Sequence, residues 1–415
     1  MATRRCWTGA GLLAMTVALF AAAPPATPPA GSPLPAAWKN GPWKTEADFP
    51  IAVWLQSPRN AKRYQAAGIN LFVGLWEGPT EAQLAELKKC GMRVICDQNK
   101  VGLAHKNDPI IAGWMHGDEP DNAQSLPGGK GYGPPIPPAK IVAGYKKIRA
   151  ADPTRPVLLN LGQGVAWDGW YGRGVRTNHP EDYPEYVKGC DIASFDIYPV
   201  AHDAENPRDR EVKGNLDFVA KGVERLVKWT REAPPSGSPR LAWNCIECTC
   251  ISSAEKATPK QVKAEVWMSI IRGSRGIVYF VHQFKPKFVE PALLEDPEML
   301  EAVTAINKQI QSLAAVLNGP AVEGIATVSS DNTKVPIALA ARRSGDAIYL
   351  FAVPLKAGST KATFALSGPA AGAAPAATTV EVLGENRKIP MRAGQFQDSF
   401  RDWDVHLYRI GPAPR

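Results

Sequence analysis

The sequence predicts an α/β fold, a (βα)8 TIM barrel followed by a small C-terminal antiparallel β-sandwich. Two observations lead to this prediction. Apolar, strand-like runs alternate with helix signals eight times between residues 51 and 317, a span typical of such barrels. After Pro320, helix periodicity disappears and short β-rich runs replace it. A doubly wound open sheet is the rival fold, but no G-x-G-x-x-G phosphate loop follows the first strand.

The predicted barrel strands are short apolar runs separated by helix signals. Thr80 followed by Gln83 opens one helix, and the pair Asp152-Pro153 stops another. The predicted strands cover residues 51–55, 69–75, 92–96, 110–115, 156–161, 191–197, 241–246 and 277–281. The clearest predicted helices cover residues 80–89, 141–150, 216–229, 259–271 and 297–317. The barrel domain is therefore expected at residues 45–319.

The predicted C-terminal domain, residues 320–415, is rich in alternating apolar and polar residues. Turn residues such as those of Ser344-Gly345-Asp346 separate its strand-like runs. The predicted runs cover residues 325–328, 336–341, 347–353, 362–366, 378–382 and 403–408. Short alternating strands with frequent turns indicate a sandwich packed beside the barrel.

The N-terminal segment indicates export. Arg4 and Arg5 precede an apolar stretch at residues 12–20, and small residues follow, so residues 1–23 are predicted to be a signal peptide. Residues 24–44 are rich in proline and alanine and are predicted to be a linker. No later segment is long and apolar enough to span a bilayer. We therefore expect an exported protein, either periplasmic or extracellular.

Charge and cysteine content restrict the function. The formal net charge is +8, but the basic residues are interspersed with acidic ones, so no nucleic-acid footprint is visible. An exported chain can form disulfides, although the sequence leaves their connectivity open. Cys245, Cys248 and Cys250 raise the alternative of a zinc site, but no second cluster of ligands accompanies them. The expectation is no metal and no cofactor.

Two glutamates carry the functional prediction. Glu119 follows the fourth predicted strand and Glu247 ends the seventh. The carboxyl ends of all strands of a (βα)8 barrel meet at one mouth, where barrel enzymes keep their active sites. Two carboxyl groups in one cleft are the groups that glycoside hydrolysis requires. Neither a G-x-S-x-G elbow nor an H-E-x-x-H motif is present to indicate another hydrolase.

The two glutamates, their strand positions and the final run Trp403-Asp404-Val405-His406-Leu407-Tyr408 resemble clan A of the glycoside hydrolases. The resemblance implies a retaining mechanism with Glu119 as general acid/base and Glu247 as nucleophile. One residue departs from the clan pattern, because Asp118 stands where the clan usually has an asparagine that binds the sugar 2-hydroxyl. Asp118 could still accept a hydrogen bond from that hydroxyl, but as an anion it would disfavour ionisation of its neighbour.

Further substrate-binding candidates lie just past strand ends. Tyr198 is a candidate partner for Glu247, and Asp196 is either a third carboxylate or the true partner of Glu119. Trp54, Trp76 and His282 are candidates for contacts with sugar rings and hydroxyls, with packing at the barrel rim as the alternative. The loop after the fifth strand adds Trp167, Trp170 and Tyr171, which form either an outer subsite or a structural plug.

The sequence therefore favours a secreted glycoside hydrolase that cleaves O-glycosidic bonds of an oligosaccharide or polysaccharide with two glutamates. The alternative is a catalytically inactive carbohydrate-binding protein on the same barrel, motivated by Asp118. A metal-dependent hydrolase using the Cys245–Cys250 cluster is a third option. The sugar, the linkage, the exo or endo mode and the oligomeric state stay open.

Overall fold

The structure is a computed structural model that describes residues 38–170, 176–203, 205, 207, 209–367 and 379–411. The predicted signal peptide and most of the predicted linker lie outside the described residues. Within the described residues, no helix is long and apolar enough to cross a membrane.

Eight parallel strands form the barrel, as predicted. They are β1 (Ile51–Trp54), β2 (Leu71–Val73), β3 (Arg93–Asp97), β4 (Ile111–Asp118), β5 (Val157–Leu161), β6 (Ile192–Phe195), β7 in two pieces (Leu241–Ala242 and Asn244–Glu247) and β8 (Ile277–Phe280). Each strand pairs with its neighbour in sequence, and β8 pairs with β1. A bridge between Asp196 and Cys245 continues the pairing of β6 with β7 beyond the break in β7, so the barrel is closed.

Helices cover the outside of the barrel. They are α1 (Ala61–Ala66), α2 (Glu81–Lys88), α3 (Lys100–Ala104), α4 (Pro138–Ala151), α5 (Tyr183–Tyr186), α6 (Asp217–Glu232), α7 (Pro259–Ile271), α8 (Pro297–Ser312) and α9 (Ala314–Asn318). Thr80 and Thr258 cap α2 and α7 through capping boxes with Gln83 and Gln261. Local sequence chemistry therefore sets where these two helices begin.

Bulky side chains close the amino-terminal end of the barrel. Trp243 interrupts β7 and is fully buried in the barrel interior. Trp43 packs edge-on against Trp243 and stacks on Trp38, with ring centroids 6.0 Å apart in both pairs. Arg93, at the start of β3, donates to the Gly41 carbonyl at 2.7 Å. Trp38 and Trp43 fall in the stretch predicted as a linker, yet both are part of the packed barrel.

The C-terminal domain consists of two antiparallel sheets. Its strands are β9 (Ala326–Ser330), β10 (Ile337–Ser344), β11 (Ala347–Pro354), β12 (Thr360–Leu366), β13 (Thr379–Val382), β14 (Arg387–Pro390), β15 (Gln395–Phe400) and β16 (His406–Ile410). One sheet has the order β9-β12-β15 and the other β10-β11-β16-β13-β14. The predicted sandwich is confirmed, but β14 and β15 are two strands that the sequence reading missed.

The sandwich packs on the helical layer of the barrel through α7. Trp267 of α7 stacks on Phe351 of β11, with ring centroids 5.4 Å apart and an interplanar angle of 24°. Both side chains belong to the same buried cluster as the outer core of the barrel. The two domains therefore share one apolar core at this contact.

Candidate active site

Glu119 lies at the carboxyl-terminal mouth of the barrel. Strand β4 continues past its predicted end to Asp118, so Glu119 is the first residue beyond it. The Glu119 backbone N–H donates to the Asn160 carbonyl at 2.9 Å. The Asn122 side-chain amide donates to Glu119 Oε2 at 3.0 Å. The half-buried Glu119 side chain is therefore held in place at the point where the strand ends.

The backbone is strained at three places on this mouth. Leu55, Glu77 and Glu119 have φ angles of 48°, 50° and 40°. Each residue follows the end of a barrel strand (β1, β2 and β4), and none is a glycine. Left-handed backbone is uncommon for such residues and concentrates at functional sites. This strain marks the mouth as a candidate site independently of its side chains.

Asn160, at the end of β5, connects two carboxyl groups of the mouth. Its amide nitrogen donates to Asp118 Oδ1 at 3.0 Å and to Asp196 Oδ1 at 3.2 Å. Its amide oxygen accepts from the Ser194 hydroxyl at 2.8 Å. Because the amide oxygen is occupied by Ser194, the amide nitrogen is directed at the two carboxylates. Asn160 thereby fixes the positions of Asp118 and Asp196.

Asp196 shares its surroundings with Glu119. Burial raises the pKa of Asp196 well above its ordinary value, and the neighbouring charges of Glu119, Asp118 and Asp121 raise that pKa further. Asp196 nevertheless keeps partial exposure to solvent, unlike Glu247. Like charges in close proximity disfavour joint ionisation, so these neighbours favour the protonated form of Asp196.

Asp121 is the buried member of the cluster. It accepts from the Gly162 N–H at 2.9 Å and from the Tyr183 hydroxyl at 2.8 Å. Burial raises the pKa of Asp121 to about 6, although these hydrogen bonds oppose the increase. A Cβ on Gly162 would lie 3.0 Å from Glu119 Oε1 and 3.2 Å from Asp121 Oδ2. A larger residue at this position would therefore have to displace the two carboxyls by a few tenths of an ångström.

Tyr198 borders this carboxyl cluster. Its hydroxyl is buried without a hydrogen-bond partner among the described residues. Burial raises the pKa of Tyr198, and the charges of Asp196 and Glu119 add to the increase. Its ring packs on Phe280, with centroids 5.1 Å apart. Tyr198 forms no hydrogen bond with Glu247, its predicted partner, and the carboxylates that act on Tyr198 are Asp196, Glu119 and Asp118.

Glu247 ends β7 as predicted, but its side chain is 0% exposed. Its two carboxylate oxygens accept from the backbone N–H groups of Val200 and Ala201 at 2.7 and 2.6 Å. Burial raises the pKa of Glu247 to about 7, and these two hydrogen bonds oppose the increase. The oxygens of Glu247 are therefore engaged by the loop after β6.

Glu265 of α7 is a buried neighbour of Glu247 that the sequence reading did not single out. Burial raises the pKa of Glu265 well above its ordinary value, and the charge of Glu247 raises it further. A side-chain hydrogen bond between the two carboxyls also raises the pKa of Glu265 and lowers that of Glu247. Glu265 is consequently the protonated member of this pair, and Glu247 the ionised one.

The predicted sugar-binding aromatic residues have different environments. Trp54 is buried in the barrel interior, which favours packing over ligand contact. Trp76 is 48% exposed, and its ring lies edge-on to His282 at 5.8 Å. His282 is buried beside the Gln56 amide at 2.9 Å, and burial lowers the pKa of His282. Only Trp76 among these three presents a wide surface to solvent.

The loop after β8 adds aromatic residues that the sequence reading missed. Phe284 and Phe288 are 47% and 54% exposed and lie 5.5 Å apart. Phe288 stacks on His282 at 5.9 Å, and Phe280 contacts both His282 and Tyr198. We call Tyr198, Phe280, His282, Phe284, Phe288 and Trp76 the aromatic strip. The aromatic strip runs outward from the carboxyl cluster. The sequence pattern that could have predicted it is the pair of phenylalanines, Phe284 and Phe288, shortly after the end of β8.

Several other polar and aromatic side chains near strand ends lie outside the mouth. Trp114 donates to Asp152, and His116 contacts the Ile141 carbonyl of α4, so both side chains point into the helical layer. Trp167 is buried and donates to Glu211, which favours the structural alternative for that loop. Tyr171 lies outside the described residues.

The cysteines do not pair or converge. All six cysteines within the described ranges are free thiols, so the disulfides that export would permit are absent there. Cys245 lies in the barrel interior, whereas Cys248 lies in the outer core. No group of three or more His, Cys, Asp or Glu residues in the described part of the chain could hold a metal ion. Alternate residues of a strand face opposite sides of a sheet, so neighbours in sequence do not form one ligand set.

Solved glycoside hydrolases share this architecture. An α-amylase from Geobacillus thermoleovorans, solved with acarbose, matches with a TM-score of 0.52 and 12% identity, covering 89% of this chain and 100% of its own. AmyP, solved with maltose, matches with a TM-score of 0.52 and 10% identity, covering 88% and 97%. An Anoxybacillus α-amylase, described as a new glycosyl hydrolase subclass, matches with a TM-score of 0.51 and 12% identity, covering 89% and 99%.

No protein-family profile and no curated protein sequence matches this chain. At the identities above, the structural likeness establishes the fold. The predicted resemblance to glycoside hydrolases is thus confirmed as a likeness of architecture, a (βα)8 barrel with a C-terminal β-domain. Function depends on the site residues themselves.

Proposed function

We propose that this protein is a glycoside hydrolase whose active site is the carboxyl cluster at the mouth of the barrel. The observation that carries the proposal is the shared environment of Glu119 and Asp196 next to the aromatic strip. Two carboxyl groups sharing a proton provide one acid and one base, which glycosidic bond cleavage requires. Exposed aromatic faces beside them suit the apolar faces of sugar rings. The shared fold with α-amylases supports the same activity.

Glu119 is assigned as the general acid/base. Its carboxyl is half-buried at the mouth and is oriented by Asn122. Asp118, the last residue of β4, is exposed and accepts a hydrogen bond from the Asn160 amide. In this position Asp118 accepts a hydrogen bond from a sugar hydroxyl, the role that the clan gives to asparagine. The substitution preserves an acceptor but not the amide donor, so substrates that need that donor are excluded.

The second carboxyl has two candidates. The clan resemblance assigns Glu247 as nucleophile, and this assignment stays a prediction. Complete burial and two backbone hydrogen bonds argue against attack by Glu247 on a sugar. Asp196 is more accessible than Glu247, and the charge of Glu119 acts on it directly. We therefore favour Asp196 as the partner of Glu119. The anomeric configuration of the first product shows whether hydrolysis proceeds with retention, as we propose.

Three variants separate these assignments: Glu119→Gln, Asp196→Asn and Glu247→Gln. Each is assayed against a panel of aryl glycosides and neutral and acidic polysaccharides, with circular dichroism to verify folding. Removing a general acid/base lowers kcat by roughly 10²–10⁴-fold, and we expect that loss for the first two variants. Glu247→Gln should retain activity within about 10-fold, because Glu247 is not the favoured partner of Glu119 and the amide oxygen still accepts from one of the two backbone N–H groups. Glu86→Gln, on the outer face of α2, is the control for loss of a carboxylate.

The outcomes discriminate between the alternatives. A folded but inactive Glu247→Gln beside an active Asp196→Asn would restore Glu247 as nucleophile. Wild-type rates in Glu119→Gln would refute the site. Glycan binding without turnover, unchanged by any of the three substitutions, would establish the inactive carbohydrate-binding protein. Proton NMR of the fresh product shows whether the anomeric configuration is retained.

We also propose that the protein is exported through its N-terminal signal. The support is the charge and hydropathy pattern of residues 1–23. Expression of the full chain followed by N-terminal sequencing of the protein in the medium or periplasm tests this proposal. A cytoplasmic protein with an intact leader would contradict it.

A further inference from the structure

A cleft of about 980 Å³ separates the helical layer of the barrel from the sandwich. Its barrel wall is formed by the end of α6 and by the segment 271–275 between α7 and β8, and its sandwich wall by β9 and β10. The segment 271–275 leads into the amino-terminal end of β8, so the cleft is distant from the carboxyl cluster at the mouth. Its volume lies at the upper end of the range for small-molecule sites.

Positive charge dominates this cleft. Its charged lining residues are seven cations and three carboxylates: Lys221, Arg225, Lys228, Arg231, Arg272, Arg275, Arg342, Glu224, Glu232 and Glu323. Two of the cations share one counter-charge, since Asp168 forms ion pairs with both Lys221 and Arg225. Arg272 lies 3.8 Å from Glu224, which is a loose ion pair.

The remaining arginines lack adequate counter-charge. Arg342 is 6% exposed, its Nη1 donates to a backbone carbonyl, and its Nε has no partner in the described part of the chain. Arg231 Nε is likewise buried and unpartnered among those residues, although the charge of Glu323 acts on this arginine. Arg275 donates to the Leu317 carbonyl at 2.7 Å. None of these three forms an ion pair with a carboxylate among the described residues.

The three guanidinium groups line the same cleft, where their like charges repel one another. Burial and the charge of Arg275 together lower the pKa of Arg342 to about 9. Burial also lowers the pKa of Arg275, to which the charge of Arg231 adds. Buried charges normally have partners, because an unpaired buried charge is costly. Three cations line one cleft without an ion pair to a described carboxylate, and two of them have a buried Nε with no partner among the described residues, so the cleft is complementary to a bound anion.

We propose that the cleft between barrel and sandwich is a second binding site, which takes an oxyanion-bearing small molecule on Arg231, Arg275 and Arg342. The bound group is a carboxylate or a phosphate, because both accept from guanidinium donors in the same planar geometry. The apolar part of the wall, including Val227, Ile271 and Leu339, accommodates the body of the ligand. This site is independent of the proposed hydrolysis at the mouth.

Thermal unfolding of the whole chain at constant ionic strength tests the proposal. The probes are inorganic phosphate, trigalacturonate as a carboxylated oligosaccharide, and maltotriose as a neutral one. A ligand that binds the folded state raises Tm with concentration. We expect a rise with phosphate or with trigalacturonate and none with maltotriose. A response to phosphate alone identifies a phosphate ester as the ligand class, and a response to trigalacturonate alone identifies a carboxylated sugar.

Arginine variants localise the effect. Arg231→Gln and Arg342→Gln should each raise the Kd for the anion that raises Tm by about 10-fold or more, because each removes a charge-assisted hydrogen bond. Arg240→Gln is the matched control, since its Nε is also buried and unpartnered but lies outside the cleft. Arg231 is only partly buried, so its variant remains informative if Arg342→Gln fails to fold. Equal responses in wild type and Arg231→Gln, or no response to either anion, would overturn the proposal.

Discussion

Single residues determine how charge is distributed within the barrel. Asn160 holds Asp118 and Asp196 at the mouth, where solvent reaches them. Glu247 and Glu265 lie between β7 and α7, where no water is available to either. The two carboxyl pairs have opposite consequences. An accessible pair with a shared proton suits acid/base chemistry, whereas an inaccessible pair makes stability depend on pH.

The Glu247–Glu265 pair predicts that the protein loses stability as pH rises. Both folded-state pKa values lie above the ordinary 4.5, so above pH 4.5 the folded state binds more protons than the unfolded state. The contribution of the pair to the free energy of unfolding is fully present below pH 4.5 and declines as the pH rises through about 7. Glu265→Gln removes one titrating group, so its Tm should decline less than that of wild type between pH 5 and pH 8.

Calorimetry at several pH values measures this difference. Glu86→Gln, which changes an exposed carboxylate on α2, is expected to follow the wild-type curve. Parallel curves for wild type and Glu265→Gln would contradict the assignment of a buried shared proton.

At the residue scale, sequence reasoning identified strand-end carboxylates but not their accessibility. Glu119, Asp118 and Asp196 were predicted because polar residues follow apolar runs at one edge of a parallel barrel. The burial of Glu247 depends on the backbone N–H groups of Val200 and Ala201 and on Glu265 of α7. These partners lie on other elements, so no local pattern around Glu247 reveals them.

At the element scale, the loop after β8 presents two exposed phenylalanines, Phe284 and Phe288, beside the proposed active site. Gln283 and Val289 exchange backbone hydrogen bonds, and the residues between them form a tight hairpin. The Phe284 N–H donates to the Cys250 carbonyl at 2.9 Å, which fixes the hairpin to the loop after β7. Phe284 and Phe288 are therefore exposed on a rigid support.

The hairpin predicts a specific kinetic effect. Phe284→Ala and Phe288→Ala should each raise KM by roughly 5–100-fold, corresponding to about 1–3 kcal/mol for a lost stacking contact. The change in kcat should be small, because neither ring belongs to the carboxyl cluster. Initial-rate kinetics on the substrate found in the panel measure both constants. Leu103→Ala, another exposed apolar residue, is the control; an unchanged KM in both phenylalanine variants would remove the hairpin from the binding site.

Element boundaries show where sequence patterns stop being sufficient. Strand β15 was missed because its sequence, Gln395–Phe400, is mainly polar and only Phe396 and Phe400 are buried. Strand β14 is polar and packs at a sheet edge, after β13. The break in β7 arises from Trp243, whose ring would lie 2.4 Å from a Cβ on Gly276. That contact is between distant residues and is invisible to local periodicity.

At the scale of the whole molecule, one stacked pair couples the two domains. Trp267→Ala should lower the free energy of unfolding by about 3–5 kcal/mol, because it leaves a cavity between α7 and β11. Urea unfolding followed by far-UV circular dichroism measures the change. Trp76→Ala, at an exposed tryptophan, should cost about 1 kcal/mol or less. Equal losses in the two variants would show that the domain contact contributes little.

The overall architecture was the most predictable level. Eight strand–helix repeats and a switch to alternating strands are long-range patterns, and a closed barrel with a sandwich satisfies both. The cleft with its arginines was unpredictable, because Arg231, Arg275 and Arg342 belong to three separated segments. Only the packing of sandwich on barrel brings them together.

The position of Trp38 and Trp43 also determines the orientation of the molecule when it is immobilised through its N-terminal segment. Trp38 and Trp43 enter the barrel at its amino-terminal end, opposite the mouth. A tag, bead or surface joined ahead of residue 38 therefore meets the protein at its closed end. Attached in this orientation, the molecule keeps its mouth turned toward the solution, away from the support.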